Sequence, residues 1–174
     1  SIQCHPDGPY VVRNHGEFGR QDESYYICVT GQGAKTFLGF EHEESCEQFF
    51  ELARKAEKSG ELIDYEQYIH AVPSTPGTQV MIPAGTVHAS GRNPVILEIG
   101  SLTVGSYTYK LYDYQRTDPQ TGIRRPIHLK MGSEVIHGER TAEWVNANLV
   151  NHGGVVRQGE GWKEIIVGEH DLLY

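Results

Sequence analysis

The chain has 174 residues, a length that suits one domain with a full hydrophobic core. Its formal net charge of -8 argues against non-specific nucleic-acid binding, because that binding needs clustered Lys and Arg side chains. No stretch approaches the roughly 20 apolar residues that span a bilayer, and the three cysteines form no CxxC pair or disulfide framework. We therefore expect one domain in the reducing cytoplasm, without a nucleic-acid or membrane partner.

Short strands and loops alternate in the first part of the chain. Residues 2–4 predict a short strand, and the polar residues 13–21, which contain two glycines, predict a loop. The stretch SYYICVT at 24–30 is aromatic and β-branched, and AKTFLGF at 34–40 alternates after a Gly-Gln-Gly turn. Both stretches are typical of strands.

A helical insertion is predicted next, over about residues 43–70. Apolar residues at Phe49, Phe50, Leu52, Ala53 and Ala56 share one face of an amphipathic helix. Acidic residues lie early in this stretch and lysines lie late, which suits the helix dipole, and Gly60 is a stop signal. We expect the helix at 43–59 to pack this face on a sheet, followed by a second short helix near 64–70.

Strand patterns return from residue 78. The segments are TQVMIPAG at 78–85, PVILEIG at 94–100, YTYKLYDYQ at 107–115 and, near the end, GWKEIIVG at 161–168. Between the last two, residues 117–126 are rich in turn formers, and about residues 134–149 predict a helix. The whole pattern predicts one mostly-β domain, with a helical insertion and a helical C-terminal segment.

Four residues have the chemistry of a metal-binding set. Gln3 and His5 lie two apart on a strand and point to the same face, Glu23 immediately precedes the next strand, and His88 ends a Pro-x-Gly-x-x-His element. Two imidazoles, one carboxylate and one amide oxygen can bind a divalent cation. Spacing alone equally allows a surface amide, structural histidines and a solvated turn glutamate.

Several motifs resemble those of one known family. PAGTVH at 83–88 resembles the second cupin motif, and QxHP at 3–6 with DESYY at 22–26 and IPAGTVHASG at 82–91 resembles class I mannose-6-phosphate isomerases. YKLYDYQR at 109–116 and RPIHL at 125–129 continue the same order. The resemblance covers residues 1 to about 130 and extends more loosely to the end.

The resemblance implies a fold, a metal and a chain context. Members have a cupin jelly-roll barrel that holds zinc in its mouth, and the matching ligands here are Gln3, His5, Glu23 and His88. In the family QxHP lies well inside the chain, so we expect this sequence to be a piece of a longer bacterial member.

The implied reaction interconverts mannose 6-phosphate and fructose 6-phosphate through an enediolate. Such a reaction needs a Lewis acid, a base that moves a proton between C1 and C2, and a cation for the phosphate. Glu98 matches a family glutamate beside the metal and is the candidate base; a salt-bridged glutamate at a strand end is the alternative. A cupin that binds or senses a sugar phosphate without turnover is the competing function, and a storage-type cupin is a third.

Two positions depart from the family pattern. Gln21 stands where well-studied members have Lys, and Lys110 stands where they have a functional Arg. Lys keeps the positive charge but lacks the planar fork of Arg. We expect Lys110 to face the metal cavity together with Thr108 and Tyr112, and Arg20 or Arg116 to be the next cations in line.

Overall fold

The computed structural model describes residues 1–101 and 107–166. Its strands are β1 Ile2–Cys4, β2 Glu23–Thr30, β3 Lys35–Phe40, β4 Ile69–Pro73, β5 Thr78–Ile82, β6 His88–Ser90, β7 Pro94–Gly100, β8 Tyr109–Tyr112, β9 Val150–His152, β10 Val155–Gly159 and β11 Trp162–Ile165. Its α-helices are α1 Gly8–His15, α2 Ser45–Ser59, α3 Leu129–Val135 and α4 Ala142–Asn148, and Tyr65–Gln67 forms a 3₁₀ turn. The mostly-β prediction is confirmed.

Antiparallel pairing joins strands that are far apart in sequence. A five-stranded sheet has the order β4-β3-β6-β1-β8, and a four-stranded sheet has the order β7-β2-β5-β9. Strands β10 and β11 form a separate hairpin. Because β1 lies between β6 and β8, the residues at the start of the chain are hydrogen-bonded on both sides, and their side-chain directions are fixed by register.

The five-stranded sheet is covered on both faces. On one face, Phe49 and Phe50 of α2 join a buried cluster with Ile2, Phe37 and Leu111 of the sheet. On the other face, alternate residues contribute to a second cluster that also includes side chains of the four-stranded sheet and α4, namely Tyr25, Leu38, Val72, Val80, Met81, Ile82, Val145 and Leu149. Because successive side chains of a strand point to opposite faces of the sheet, the two buried clusters lie on opposite sides of it.

The insertion helix forms as predicted, and the segment after it does not. Helix α2 ends at Gly60, which has a left-handed φ of 82° that glycine adopts without strain. Leu52, which was predicted to share the packing face, is only half-buried and does not belong to the buried cluster that contains Phe49 and Phe50. The predicted helix near 64–70 is a single 3₁₀ turn followed by β4, which pairs with β3 from Lys35 to Phe40. The insertion prediction is therefore wrong at its C-terminal end, because pairing with β3 overrides local propensity.

Helix α1 was not predicted, and its last residues extend into the segment predicted as a loop. Helix α1 starts after Asp7, whose carboxylate accepts a hydrogen bond from the Tyr10 amide at 2.8 Å, and it ends at Gly16 with φ 67°. Pro9 in the first turn has the φ that a helix needs there. Residues 16–21 form a loop as predicted, and the prediction was wrong only at residues 13–15, because these helix signals were overlooked.

The predicted C-terminal helix is interrupted. Helices α3 and α4 are separated by residues 136–141, where Ile136 is extended and the Phe40 amide donates to the Arg140 carbonyl at 2.9 Å. Strands β9 and β10 were not predicted, and β11 confirms part of the final strand; residues 167–168 lie outside the described residues. In the described ranges no helix has the length and hydrophobicity of a membrane span. That all elements form one domain stays a prediction.

The core contact of α2 can be tested with one matched pair of variants. Phe49 is fully buried, whereas the Phe18 side chain is 90% exposed. We expect Phe49→Ala to lower the free energy of unfolding by about 3–5 kcal/mol, since it removes buried apolar surface and leaves a cavity. Phe18→Ala should change it by less than about 0.5 kcal/mol. Equal free energies of unfolding for the two variants in chemical denaturation would contradict this packing.

Candidate metal centre

Three strand ends converge on one buried point. His5 directly follows β1, Glu23 is the first residue of β2 and His88 is the first residue of β6. Gln3 and His88 are register partners, so their side chains leave the five-stranded sheet on the same face. His5, Glu23 and His88 are each at most 2% exposed. The structure therefore brings together three residues that are up to 83 positions apart in sequence.

The Glu23 carboxylate lies between the two imidazoles. His5 Nε2 is 3.0 Å from Glu23 Oε1, and His88 Nε2 is 3.4 Å from Glu23 Oε2. The centroids of the two rings are 5.1 Å apart. One candidate ligand atom from each of the three residues lies within 4.8 Å of the others, which is the geometry of a small-cation site.

Backbone carbonyls orient both rings. The Nδ1 atom of His5 lies 2.9 Å from the Tyr107 carbonyl, and the Nδ1 atom of His88 lies 2.9 Å from the Thr86 carbonyl. A carbonyl can only accept, so each ring carries a proton on Nδ1. The Nε2 atom of each ring is thereby turned toward the Glu23 carboxylate, the orientation found in histidines that ligate metals through Nε2.

Unsatisfied atoms show that the set fits a cation. His5 Nε2 and Glu23 Oε2 are buried, and apart from the contacts between the histidines and Glu23 neither atom has a hydrogen-bond partner among the described residues. Such atoms are costly to bury unless something compensates them. Two imidazole nitrogens and a carboxylate oxygen are suitable ligands for a divalent ion, so the residues present fit a metal.

The same contacts shift the pKa values of the charged groups. Burial by itself favours a neutral Glu23, but the hydrogen bonds and charges of His5 and His88 hold its pKa well below the usual carboxyl range. Burial likewise lowers the pKa of His5, but the Glu23 carboxylate outweighs it and the net pKa is raised. Glu23 therefore stays ionised, and its negative charge favours a cation at this point.

Gln3 reaches the cluster through its nitrogen. Its Nε2 lies 3.4 Å from His88 Nε2, while its Oε1 accepts a hydrogen bond from the Ser1 hydroxyl at 2.8 Å. A half-turn of the amide would present the oxygen to the cluster instead. Gln3 as the fourth ligand stays a prediction.

Glu98 lies on the face of the four-stranded sheet that also carries Glu23. Its register partner on β2 is Tyr25, which shares a face with Glu23 two residues earlier. Burial raises the pKa of Glu98, and the charge of Glu23 adds to that effect against the opposing influence of His88 and His5. A carboxylate with a raised pKa close to a charged site has the properties of a general base, and that role stays a prediction.

Lys110 leaves the sheet beside Gln3. The two are register partners across β1 and β8, so Lys110 shares the face of Gln3 and His88. A bulge between Ile2 and Gln3 breaks the alternation of β8, and Leu111 and Tyr112 are both buried in the cluster under α2. The expected grouping of Tyr112 with Lys110 on one face is therefore wrong. The substrate role of Lys110 itself stays a prediction.

The neighbouring polar residues have definite partners. Gln21 donates a hydrogen bond from Nε2 to Glu23 Oε1, so a neutral amide contacts the buried carboxylate. Arg20 is paired with Asp22 at 2.8 Å, and Arg116 is paired with the buried Asp113. Both arginines that could compensate for a missing cation are thus engaged by carboxylates.

Sequence reasoning missed the residues that support the ligands. His15 stacks on the Tyr107 ring with centroids 3.8 Å apart, next to the carbonyl that orients His5. Arg140 donates hydrogen bonds to the turn that precedes His88. No spacing rule could have found Arg140, since it is more than 50 residues from that turn in sequence.

The position of the Lys110 charge can be tested through His128. Burial lowers the pKa of His128, and the Lys110 cation lowers it further because it disfavours a second positive charge. Lys110→Met should raise this pKa part of the way to its ordinary value, as read from an NMR titration of the ring. The exposed Lys130 is the control, and Lys130→Met should leave it unchanged. An unmoved His128 pKa in Lys110→Met would put the Lys110 amine elsewhere.

Known proteins share this sequence and architecture. No protein-family model matches the chain. The chain is 30% identical over 139 residues to a mannose-6-phosphate isomerase of Streptococcus mutans, which covers 78% of this chain and 39% of the relative. It is 33% identical over 137 residues to a mannose-6-phosphate isomerase of Bacillus subtilis, with 78% and 40% covered. The chain thus spans about 40% of the length of these relatives.

A solved structure gives the same result. The crystal structure of a mannose 6-phosphate isomerase from Bacillus subtilis superposes with a TM-score of 0.61 at 28% identity, over 79% of this chain and 40% of that one. The match confirms the expected cupin-like, mostly-β fold. Sequence and architecture agree, and the chain belongs to the mannose-6-phosphate isomerase family.

Proposed function

We propose that the protein is a zinc-dependent aldose–ketose isomerase that interconverts mannose 6-phosphate and fructose 6-phosphate. The observation that carries the proposal is the buried cluster of His5, Glu23 and His88, with both Nε2 atoms directed inward, in a chain of this family. A small sugar phosphate is the proposed partner and the cytoplasm the proposed location.

Zinc is the metal that best suits the ligands. Imidazole nitrogens favour zinc over magnesium, and a mixed nitrogen and oxygen set leaves room for a substrate oxygen. His5, Glu23, His88 and, after the half-turn of its amide, Gln3 would hold it. When bound, the metal would supply Lewis-acid stabilisation of the negative charge that develops on the sugar oxygen.

Glu98 is the proposed base. It would take a proton from one of the two reacting carbons and return it to the other. A second proton would pass from the hydroxyl oxygen of one carbon to the carbonyl oxygen of the other, so that the two groups exchange places. Partial burial and the nearby charge of Glu23 raise the pKa of Glu98, which favours it as a proton acceptor.

Lys110 is the proposed cation for the substrate. It leaves the sheet on the face of Gln3 and His88, and Arg20 and Arg116 are already paired with aspartates. The ammonium of Lys is a compact and mobile charge that can bind a phosphate or a developing oxyanion.

The competing proposal is a protein that binds a metal and a sugar phosphate without turnover. The observation that favours it is Gln21, since a neutral amide contacts the Glu23 carboxylate where well-studied family members have a cation. A coupled assay on mannose 6-phosphate separates the two functions. Tight binding without product would support the binding protein.

Metal binding can be measured directly. We expect about one zinc ion per chain after reconstitution, and His88→Ala should lose it, because one of the two imidazole ligands is missing. His70→Ala is the matched control: His70 is paired with Glu41 at 3.0 Å, outside the cluster. Elemental analysis after dialysis reads the result. Equal zinc in wild type and His88→Ala would contradict the ligand assignment.

The base can be tested with a near-isosteric change. Glu98→Gln should lower turnover by about 10²–10⁴-fold, since the amide cannot accept the proton. Zinc content should stay the same, because Glu98 is outside the ligand cluster. Turnover within a few-fold of wild type would show that another group moves the proton.

A further inference from the structure

We infer that Arg140 is a positioning residue for the metal centre, which holds the turn at 83–86 in the shape that fixes the direction of the His88 ring through its Nδ1–H hydrogen bond. The inference extends the proposed function, because it assigns part of the metal affinity to a residue that contacts no ligand side chain. It depends on four observations about that turn.

The guanidinium group of Arg140 binds three oxygen atoms of the turn. One of its nitrogens donates to the Pro83 carbonyl at 3.1 Å and to the Ala84 carbonyl at 3.0 Å, and it also contacts the Thr86 hydroxyl. Hydrogen bonds from a charged donor are stronger than neutral ones. Arg140 thus holds oxygens from both ends of a tight turn with one group.

The turn transmits this constraint to His88. The Thr86 hydroxyl and amide both donate to the Pro83 carbonyl, at 2.6 and 3.0 Å, which closes the turn. The Thr86 carbonyl then accepts the hydrogen bond from His88 Nδ1 at 2.9 Å. If Thr86 moves, the carbonyl that accepts the Nδ1 hydrogen bond moves with it, and Nε2 is no longer held in the direction of Glu23.

The sequence of the turn allows this close approach. Gly85 has φ 82°, and a Cβ at this position would overlap the His137 ring. The His137 amide donates to the Gly85 carbonyl at 2.8 Å, so the segment between α3 and α4 packs directly on the turn. A larger residue would push away the segment that carries Arg140.

Contacts with two other elements hold Arg140 in place. Its carbonyl accepts a hydrogen bond from the Phe40 amide at the end of β3, and its guanidinium carbon lies 5.4 Å from the centroid of the Trp144 ring of α4. The amides of the turn contact residues at or next to the metal centre. The Ala84 amide donates to the Asp22 carboxylate at 2.8 Å, and the Gly85 amide donates to the His5 carbonyl at 2.7 Å. Those two contacts fix the backbone nitrogens of the turn, and Arg140 supplies the donors for its oxygens.

The decisive experiment reads the Nδ1–H hydrogen bonds of both rings in the metal-free protein. NMR spectra of the ring N–H groups report how fast each Nδ1 proton exchanges with water. We expect slowly exchanging Nδ1 protons for His5 and His88 in wild type, and loss of the slowly exchanging signal at His88 alone in Arg140→Met. His5 is the internal reference, because its Nδ1 partner is the Tyr107 carbonyl.

Zinc affinity provides the second measurement. Competition with a chelating dye should show about 10–100-fold weaker binding in Arg140→Met, the usual effect of losing an outer partner of a metal ligand. Arg54→Met is the matched control, since the Arg54 guanidinium lies 5.6 Å from the Phe50 centroid on α2 and makes the same kind of ring contact. It should change neither the Nδ1–H exchange nor the affinity.

Other outcomes would overturn the inference. Unchanged exchange of the His88 Nδ1 proton with unchanged zinc affinity in Arg140→Met would do so, and faster exchange at both His5 and His88 would show general loosening instead. If Arg140→Met does not fold, Arg140→Lys and Thr86→Val are the variants to measure. Each should speed exchange at His88 alone, and a His88 proton that stays protected in both would refute the positioning role of Arg140. A wild type that binds no zinc would refute the proposed function, while the Nδ1–H exchange would still decide the role of Arg140.

Discussion

The buried Glu23 carboxylate is the constraint on which the site depends. An ionised carboxylate at 2% exposure is costly unless its surroundings compensate it. The compensation comes from His5, His88 and the amide of Gln21, which approach it from three sides. His5 and Gln21 contact Oε1, whereas Oε2 has only the longer 3.4 Å contact with His88, so Glu23 is held in its charged form and Oε2 is left able to bind a cation.

Sheet register converts this local requirement into a constraint on the whole fold. Gln3 is the register partner of His88 on one side and of Lys110 on the other, so adjacent strands present an amide, an imidazole and an amine on one face. A slip of one residue in β1 would send Gln3 to the opposite face. The packing of Phe49 under the sheet, on the face that carries Ile2, therefore also protects the geometry of the site.

The sequence by itself determined the residue types of the site and the local elements. The period of apolar residues predicted helix α2 and its end at Gly60, because a helix of this length forms from contacts within its own segment and one apolar face. Likewise His5, Glu23 and His88 were identified from motifs that preserve the strand and turn around each one. Each of these signals is local, and it can be read without knowing what packs against it.

Only the tertiary structure decided which of these segments meet and what holds them. Strand β4 forms because β3 offers it a pairing edge, and the break between α3 and α4 places the Arg140 carbonyl opposite the Phe40 amide. The bulge in β8, opposite Ile2 and Gln3, buries Leu111 and Tyr112 together, against the simple alternation. In each case the deciding hydrogen bonds join residues far apart in sequence, and their formation depends on the packing of the complete sheets.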